Sequence, residues 1–222
     1  MRFRERSEAG QFLAEQLISY ANRVDVLVMA LPRGGVPVAF EVARRLHAPL
    51  DVWLVRKLGA PGIPELAIGA IASGGVETIA TEALHRLAIT REQFEAITAR
   101  ERQELQRREA AYRDSRPLVD VPGKTVILID DGIATGASMR AAIVSLRKLN
   151  PAEIVVAVPV ASPSTLLHLR TEADAVVCLW TPADLNSVGE WYQDFSQTTD
   201  DEVNRLLERA RDFIARPDQQ AD

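Results

Sequence analysis

The sequence predicts an α/β fold, a mostly parallel twisted sheet with helices on both faces. Three observations predict it. Residues 26–30, 126–129, 154–158 and 175–179 are short, largely β-branched aliphatic runs, as in strands buried on both faces. Segments of helical composition at 36–46, 139–149 and 164–171 alternate with them. Alternation of this kind lays strands side by side in parallel, with crossover helices above and below. At 222 residues, 47% hydrophobic and 26% charged, the chain can bury a full core, and one domain over 1–222 is expected.

Taken in order, Ser7 is expected to cap a helix over 8–21, with Phe12, Leu13, Leu17 and Ile18 on one face. Strand 26–30 follows, and Leu31-Pro32-Arg33-Gly34-Gly35 turns into helix 36–46. A second strand over 50–55 ends at Arg56-Lys57. The Gly/Pro-rich residues 58–65 read as a loop, and 66–72 with 76–80 as a hairpin across Ser73-Gly74-Gly75. Helices are expected over 81–87 and 90–116. The second carries seven arginines and six acids around a thin apolar stripe of Phe94, Ile97, Leu105 and Tyr112. Pairs such as Glu104–Arg108 support a solvent-facing helix there. Helix 139–149 stops at Asn150-Pro151, before strand 154–158, helix 164–171 and strand 175–179. Residues 180–198 form an irregular aromatic stretch, and a last helix covers 199–215.

Chemistry concentrates after strand 126–129. Asp130 and Asp131 leave its carboxyl end, and a small-residue turn then opens helix 139–149. A helix start favours an anion, because its orphan N–H donors and the macrodipole point the same way. Asp-Asp-Gly alone is a common turn. The order strand, two acids, small turn, helix instead matches the ligand crevice of an open α/β sheet. Such a site suits a polyhydroxylated, phosphorylated ligand, with carboxylates gripping hydroxyls or a metal and the turn gripping phosphate.

The stretch Val126-Ile127-Leu128-Ile129-Asp130-Asp131-Gly132-Ile133-Ala134-Thr135-Gly136-Ala137-Ser138 resembles the phosphoribosyl-pyrophosphate (PRPP) motif of the type I phosphoribosyltransferases, with Gly132 the only soft position. The resemblance implies that Asp130 and Asp131 contact the ribose and its transition state, directly or through a magnesium-bound shell. Ala134, Thr135, Gly136, Ala137 and Ser138 would wrap the 5′-phosphate. Arg33-Gly34-Gly35 is similar to the family's pyrophosphate loop, which implies a cis peptide, here expected at Arg33–Gly34. Arg56 and Lys57 form a second cationic pair for the pyrophosphate. Residues 180–198 stand in the place of the family's hood, so Trp180, Trp191 and Tyr192, with Val160 in the wall, are candidates for an acceptor pocket. Those aromatics would serve equally as core or subunit contact. The 81–116 insertion occupies the interval in which the family carries a closing lid.

The implied reaction moves a 5-phosphoribosyl group from PRPP, with Mg²⁺, to a nitrogenous, nucleobase-like acceptor and releases pyrophosphate. One departure bears on the acceptor. Ala134 stands where 6-oxopurine enzymes carry an aspartate base, which speaks against hypoxanthine or guanine. The layout over nearly the whole chain is similar to the uncharacterised predicted bacterial phosphoribosyltransferases. A PRPP-sensing binding protein with little turnover is the alternative.

Composition narrows the partners. Net charge is −5, and residues 182–222 hold ten acids against four arginines, so nucleic-acid binding by that end is not expected. No apolar run approaches the ~20 residues needed to span a bilayer, and the amino terminus shows no apolar signal region. A single cysteine, Cys178, cannot form an internal disulfide, and cytoplasmic residence is the expectation. His47, His85 and His168 make no metal-ligand pattern. The apolar and aromatic tail is compatible with a homodimer.

Overall fold

The computed structural model describes residues 2–113 and 117–213. The expected ends of the insertion helix (114–116) and of the last helix (214–215) lie outside the described residues. Five strands, β1 (Val26–Ala30), β2 (Leu50–Val52), β6 (Thr125–Ile129), β7 (Glu153–Val160) and β8 (Ala175–Trp180), form an all-parallel sheet in the order β2-β1-β6-β7-β8. Alternate residues of each strand point to opposite faces, and both faces are covered. Val26, Val28, Ala30, Ile127 and Ile129 pack with α1 (Arg6–Gln16), α2 (Gly35–Leu46) and α7 (Asp200–Ala210). Leu27, Met29, Val126 and Leu128 pack with α5 (Ala137–Arg147) and α6 (Pro163–Glu172). Burial on both sides explains why these strands are aliphatic throughout rather than alternating.

The connections run in two directions. Strand β1 crosses through α2 to β2 on one side, whereas β6 crosses through α5 to β7 on the other. The carboxyl ends of β1 and β6 therefore lie at a topological switch point, where two loops part and leave a crevice. Ladder pairs from Val26↔Thr125 to Ala30↔Ile129 bring those two ends level.

Three expectations are corrected by the chain's path. The strand expected over 50–55 breaks at Trp53, which is fully buried and donates its ring N–H to Ser145 Oγ at 3.0 Å. After that break β3 (Val55–Ala60) joins a second, antiparallel sheet with β4 (Ile63–Ala72) and β5 (Val76–Ile79). The expected loop over 58–65 is thus mostly strand. Its turn is confined to Pro61 and Gly62, between the paired Ala60 and Ile63, and Gly62 takes φ +75. The first helix starts without a Ser7 cap and ends early, where a 3₁₀-type bond from Leu17 N–H to Ala14 O tightens the last turn. Glu8 Oε2 accepts the Arg4 N–H at 2.6 Å in place of a side-chain cap.

The insertion comprises α3 (Thr81–Arg86) and α4 (Arg91–Arg113). The expected Glu104–Arg108 pair forms at 2.8 Å. The face beneath is packed, with Phe94, Leu105 and Tyr112 buried. Arg113 at its end is 7% exposed and reaches Asp51 Oδ1 at 3.3 Å and Val52 O at 2.6 Å, fixing α4 to the edge of the parallel sheet.

Candidate active site

Each loop at the switch point is held by backbone bonds before any ligand enters. Leu31 N–H donates to Ile129 O at 2.8 Å, tying the loop after β1 to the end of β6. Ile133 N–H donates to Val160 O at 2.8 Å, tying the loop after β6 to β7. Between these anchors Gly34 and Gly35 lie directly against the acid pair. A Cβ on Gly34 would stand 2.0 Å from Asp131 Oδ2, and one on Gly35 would stand 2.8 Å from Ile129 O and 3.0 Å from Asp130 Cα. The two glycines are there for close approach. The cis peptide of this loop is Pro32–Arg33, one bond earlier than the Arg33–Gly34 position expected from the sequence.

The carboxylates sit in a tight electrostatic setting. Asp131 N–H donates to Asp130 Oδ1 at 2.9 Å. Burial, reinforced by the neighbouring Asp131 charge, pushes the Asp130 carboxyl well above the usual carboxylate range. Burial also raises Asp131, and the Arg6 guanidinium opposes that rise. Arg6 Nε donates to Asp131 Oδ2 at 2.8 Å, and Tyr192 donates its hydroxyl to Asp131 O at 2.6 Å.

Beyond the acids the chain turns through Gly136 at φ +77, and α5 begins at Ala137 with no side-chain cap. A Cβ at Gly136 would stand 2.7 Å from Thr165 Cγ2, so glycine is required both for the left-handed backbone and for the space. Thr165 Oγ1 donates to Ala134 O at 2.7 Å and accepts from Ser162 Oγ at 2.8 Å, bracing the loop from α6. Asp130, residues 132–139 and Val188 line a cavity of about 240 Å³. Asp130 and the uncapped start of α5 both belong to its lining.

A family model for the phosphoribosyl transferase domain matches residues 4–193. The chain belongs to the phosphoribosyl transferase family. Two curated relatives, both named "Putative phosphoribosyl transferase" and both from strains of Mycobacterium tuberculosis, are 43% identical over 212 residues, 95% of this chain. The chain spans about half (48%) of the length of those relatives. The crystal structure of TT1426 from Thermus thermophilus is 46% identical with a TM-score of 0.85, covering 94% of this chain and 99% of that one.

The other residues singled out in the sequence are more dispersed. Arg33 Nη1 lies 3.9 Å from Asp200 Oδ1, and Asp200 Oδ1 also accepts the Tyr112 hydroxyl at 2.5 Å. Arg56 does not end a strand of the main sheet. It lies within β3 and donates twice to Glu101 Oε2 of α4, at 2.9 and 2.5 Å. Lys57 is the next residue of that strand and is exposed. Neither residue lines the 240 Å³ cavity.

None of the four residues expected in an acceptor pocket lines the 240 Å³ cavity. Val160 is buried beneath Gly132, where an added Cβ would meet its Cγ1 at 2.9 Å. Tyr192 is buried as a prop under Asp131. Trp191 packs beside it against Phe3 and Ala9. Trp180 lines a separate cavity of about 260 Å³, with Phe3, Phe12 and Glu15 among its neighbours. Residues 191–194 pair with the amino terminus. Phe3 N–H donates to Trp191 O, Gln193 N–H to Phe3 O, and Asp194 N–H to Arg4 O.

Two functional neighbours were missed from the sequence. Arg6 had no local signal, since its partner Asp131 is 125 residues away. Val188 lay within the expected hood, but its place over Gly132 depends on the path of the whole segment. Cys178 is partly buried, and that burial raises its thiol, which favours the protonated form. No group of three or more His, Cys, Asp or Glu among the described residues could hold a metal ion by itself. Among the same residues no helix is long and apolar enough to cross a membrane.

Proposed function

We propose that the protein transfers a 5-phosphoribosyl group from PRPP to a nitrogenous, nucleobase-like acceptor, with release of pyrophosphate. One observation carries the proposal: a single cavity joins the Asp130 carboxylate to the uncapped start of α5 at the switch point of the sheet. Membership of the transferase family supports the same reading.

In this scheme Asp130 and Asp131 accept hydrogen bonds from the ribose hydroxyls. The backbone N–H groups of residues 134–138 hold the 5′-phosphate at the helix start. Arg33, the Gly34-Gly35 backbone, Arg56 and Lys57 take the pyrophosphate, so Arg56 exchanges Glu101 for the ligand. Asp130 and Asp131 would hold a Mg²⁺ ion supplied with PRPP, since among the described residues no third His, Cys, Asp or Glu joins them. The ion would neutralise charge on the departing pyrophosphate. Positive charge developing on the ribose ring is stabilised by the carboxylates beneath it, and the fixed loops supply orientation. Ala134 provides no base, so the acceptor is one that needs no proton removed at that point.

The test is incubation with PRPP, Mg²⁺ and a panel of bases while pyrophosphate is followed. Release that depends on one added base is the expected result. PRPP binding without release for any acceptor would move the protein to the sensing class. Replacing Asp130 and Asp131 with asparagine should weaken PRPP binding by about tenfold or more, the loss of charge-assisted hydrogen bonds. A folded double variant that binds PRPP as before would sink the site assignment.

A further inference from the structure

We propose that Arg6 is a positioning residue for the ribose site, holding Asp131 in its binding orientation and coupling it to the hood. This rests on the reading of the acid pair as the PRPP site. The Arg6 side chain is only 11% exposed and is fixed from three directions. Its Nε donates to Asp131 Oδ2 at 2.8 Å, and its Nη1 donates to Ser196 O at 2.7 Å. Its guanidinium carbon lies 4.0 Å from the centre of the Phe195 ring and 5.9 Å from that of Tyr192.

That geometry assigns the two oxygens of Asp131 different tasks. Oδ2 is enclosed between Arg6 and the backbone of Gly34, where not even a methyl group would fit. Oδ1 stands farther from Gly34, 3.2 Å from a Cβ built there, and in this proposal it is the oxygen that meets a ligand hydroxyl. Two neighbouring carboxylates would otherwise repel and turn apart, and Arg6 supplies a cation in ion-pair contact with Asp131. Arginine is needed because a planar fork reaches Asp131 and Ser196 at once while stacking on an aromatic face, which an ammonium does not do. Tyr192 completes the link by holding the Asp131 carbonyl from the same hood segment. Asp131 is thus gripped at side chain and backbone by residues of the two ends of the matched domain.

Calorimetric titration with PRPP and Mg²⁺ tests this on four versions of the 222-residue chain: wild type, Arg6→Gln, Asp131→Asn and the double variant. Arg6→Gln is expected to weaken PRPP binding by about tenfold, the worth of a charge-assisted hydrogen bond. The double variant is expected to bind no more weakly than Asp131→Asn, because Arg6 acts through Asp131. Losses that multiply would show a general structural effect and overturn the inference. So would Arg6→Gln binding as well as wild type, or more tightly, while Asp131→Asn is impaired, and the ribose-site reading would then stand. Failure of wild type to bind PRPP would overturn that reading and this inference with it. Should Arg6→Gln not fold, Arg6→Lys carries the same comparison, since it keeps the charge but loses the bridge to Ser196.

Discussion

At the residue scale, the acid pair trades stability for ligand readiness. Asp130 is held above its ordinary carboxylate range by burial and by the Asp131 charge. A folded-state value above the unfolded one means that the native protein binds the proton more tightly. Stability from this group is therefore present at low pH and is lost as pH rises from the usual carboxylate value through the raised one. Asp130→Asn removes that loss, and the ligand-free variant is expected to melt a few degrees higher at neutral pH. Thermal melts from pH 4 to 8 check it, and a gap that does not widen with pH would contradict the sign. The two glycines opposite predict a contrast. Gly35→Ala meets backbone at Ile129 and Asp130 and should cost about 1–3 kcal/mol, read by urea unfolding. Gly34→Ala meets the Asp131 carboxylate itself and would push it off its Arg6 contact, so its damage should appear in PRPP affinity as well as in stability.

At the element scale, the phosphate loop is shaped by the helix that follows the next strand. Thr165, in the first turn of α6, donates to Ala134 O and stands against Gly136. Thr165→Val keeps the shape and removes the donor, leaving the Ala134 carbonyl with the longer contact from Ser162 Oγ at 3.4 Å. A stability cost of about 1 kcal/mol is expected, with weaker binding of inorganic phosphate measured by calorimetry. The start of α5 was legible from sequence, because Thr-Gly-Ala-Ser supplies small residues and a glycine for the left-handed turn. Its brace was not legible, since nothing local marks Thr165 as the partner of a loop about thirty residues earlier.

At the scale of the whole molecule, the insertion is fastened to the body through buried charge. Arg113 bridges α4 to Asp51 and to the Val52 carbonyl at the sheet edge, and both side chains are nearly shut off from solvent. Removing one partner leaves the other charge buried. Arg113→Ala is therefore expected to cost about 3–5 kcal/mol in urea unfolding. Replacing Asp51 and Arg113 together by apolar residues should cost less than the sum of the single changes. The Arg56–Glu101 pair makes a second tie between β3 and the same helix. Both ties run through residues that the sequence presents only as a strand end and a charged helix face.

The sequence by itself determined the parallel sheet, the acid pair at a strand tip and the helix start beyond it. These depend on near-neighbour patterning: β-branched runs, alternation with helices, and small residues at a turn. Only the tertiary structure decided where the strand at 50–55 divides, that Arg56 meets Glu101, that Arg6 meets Asp131, and that Trp180 lines a second cavity. Each of those depends on which distant segments share a surface. The amino terminus closing onto residues 191–194 is the deciding case, because backbone pairing between segments so far apart in the chain leaves no periodicity in either one.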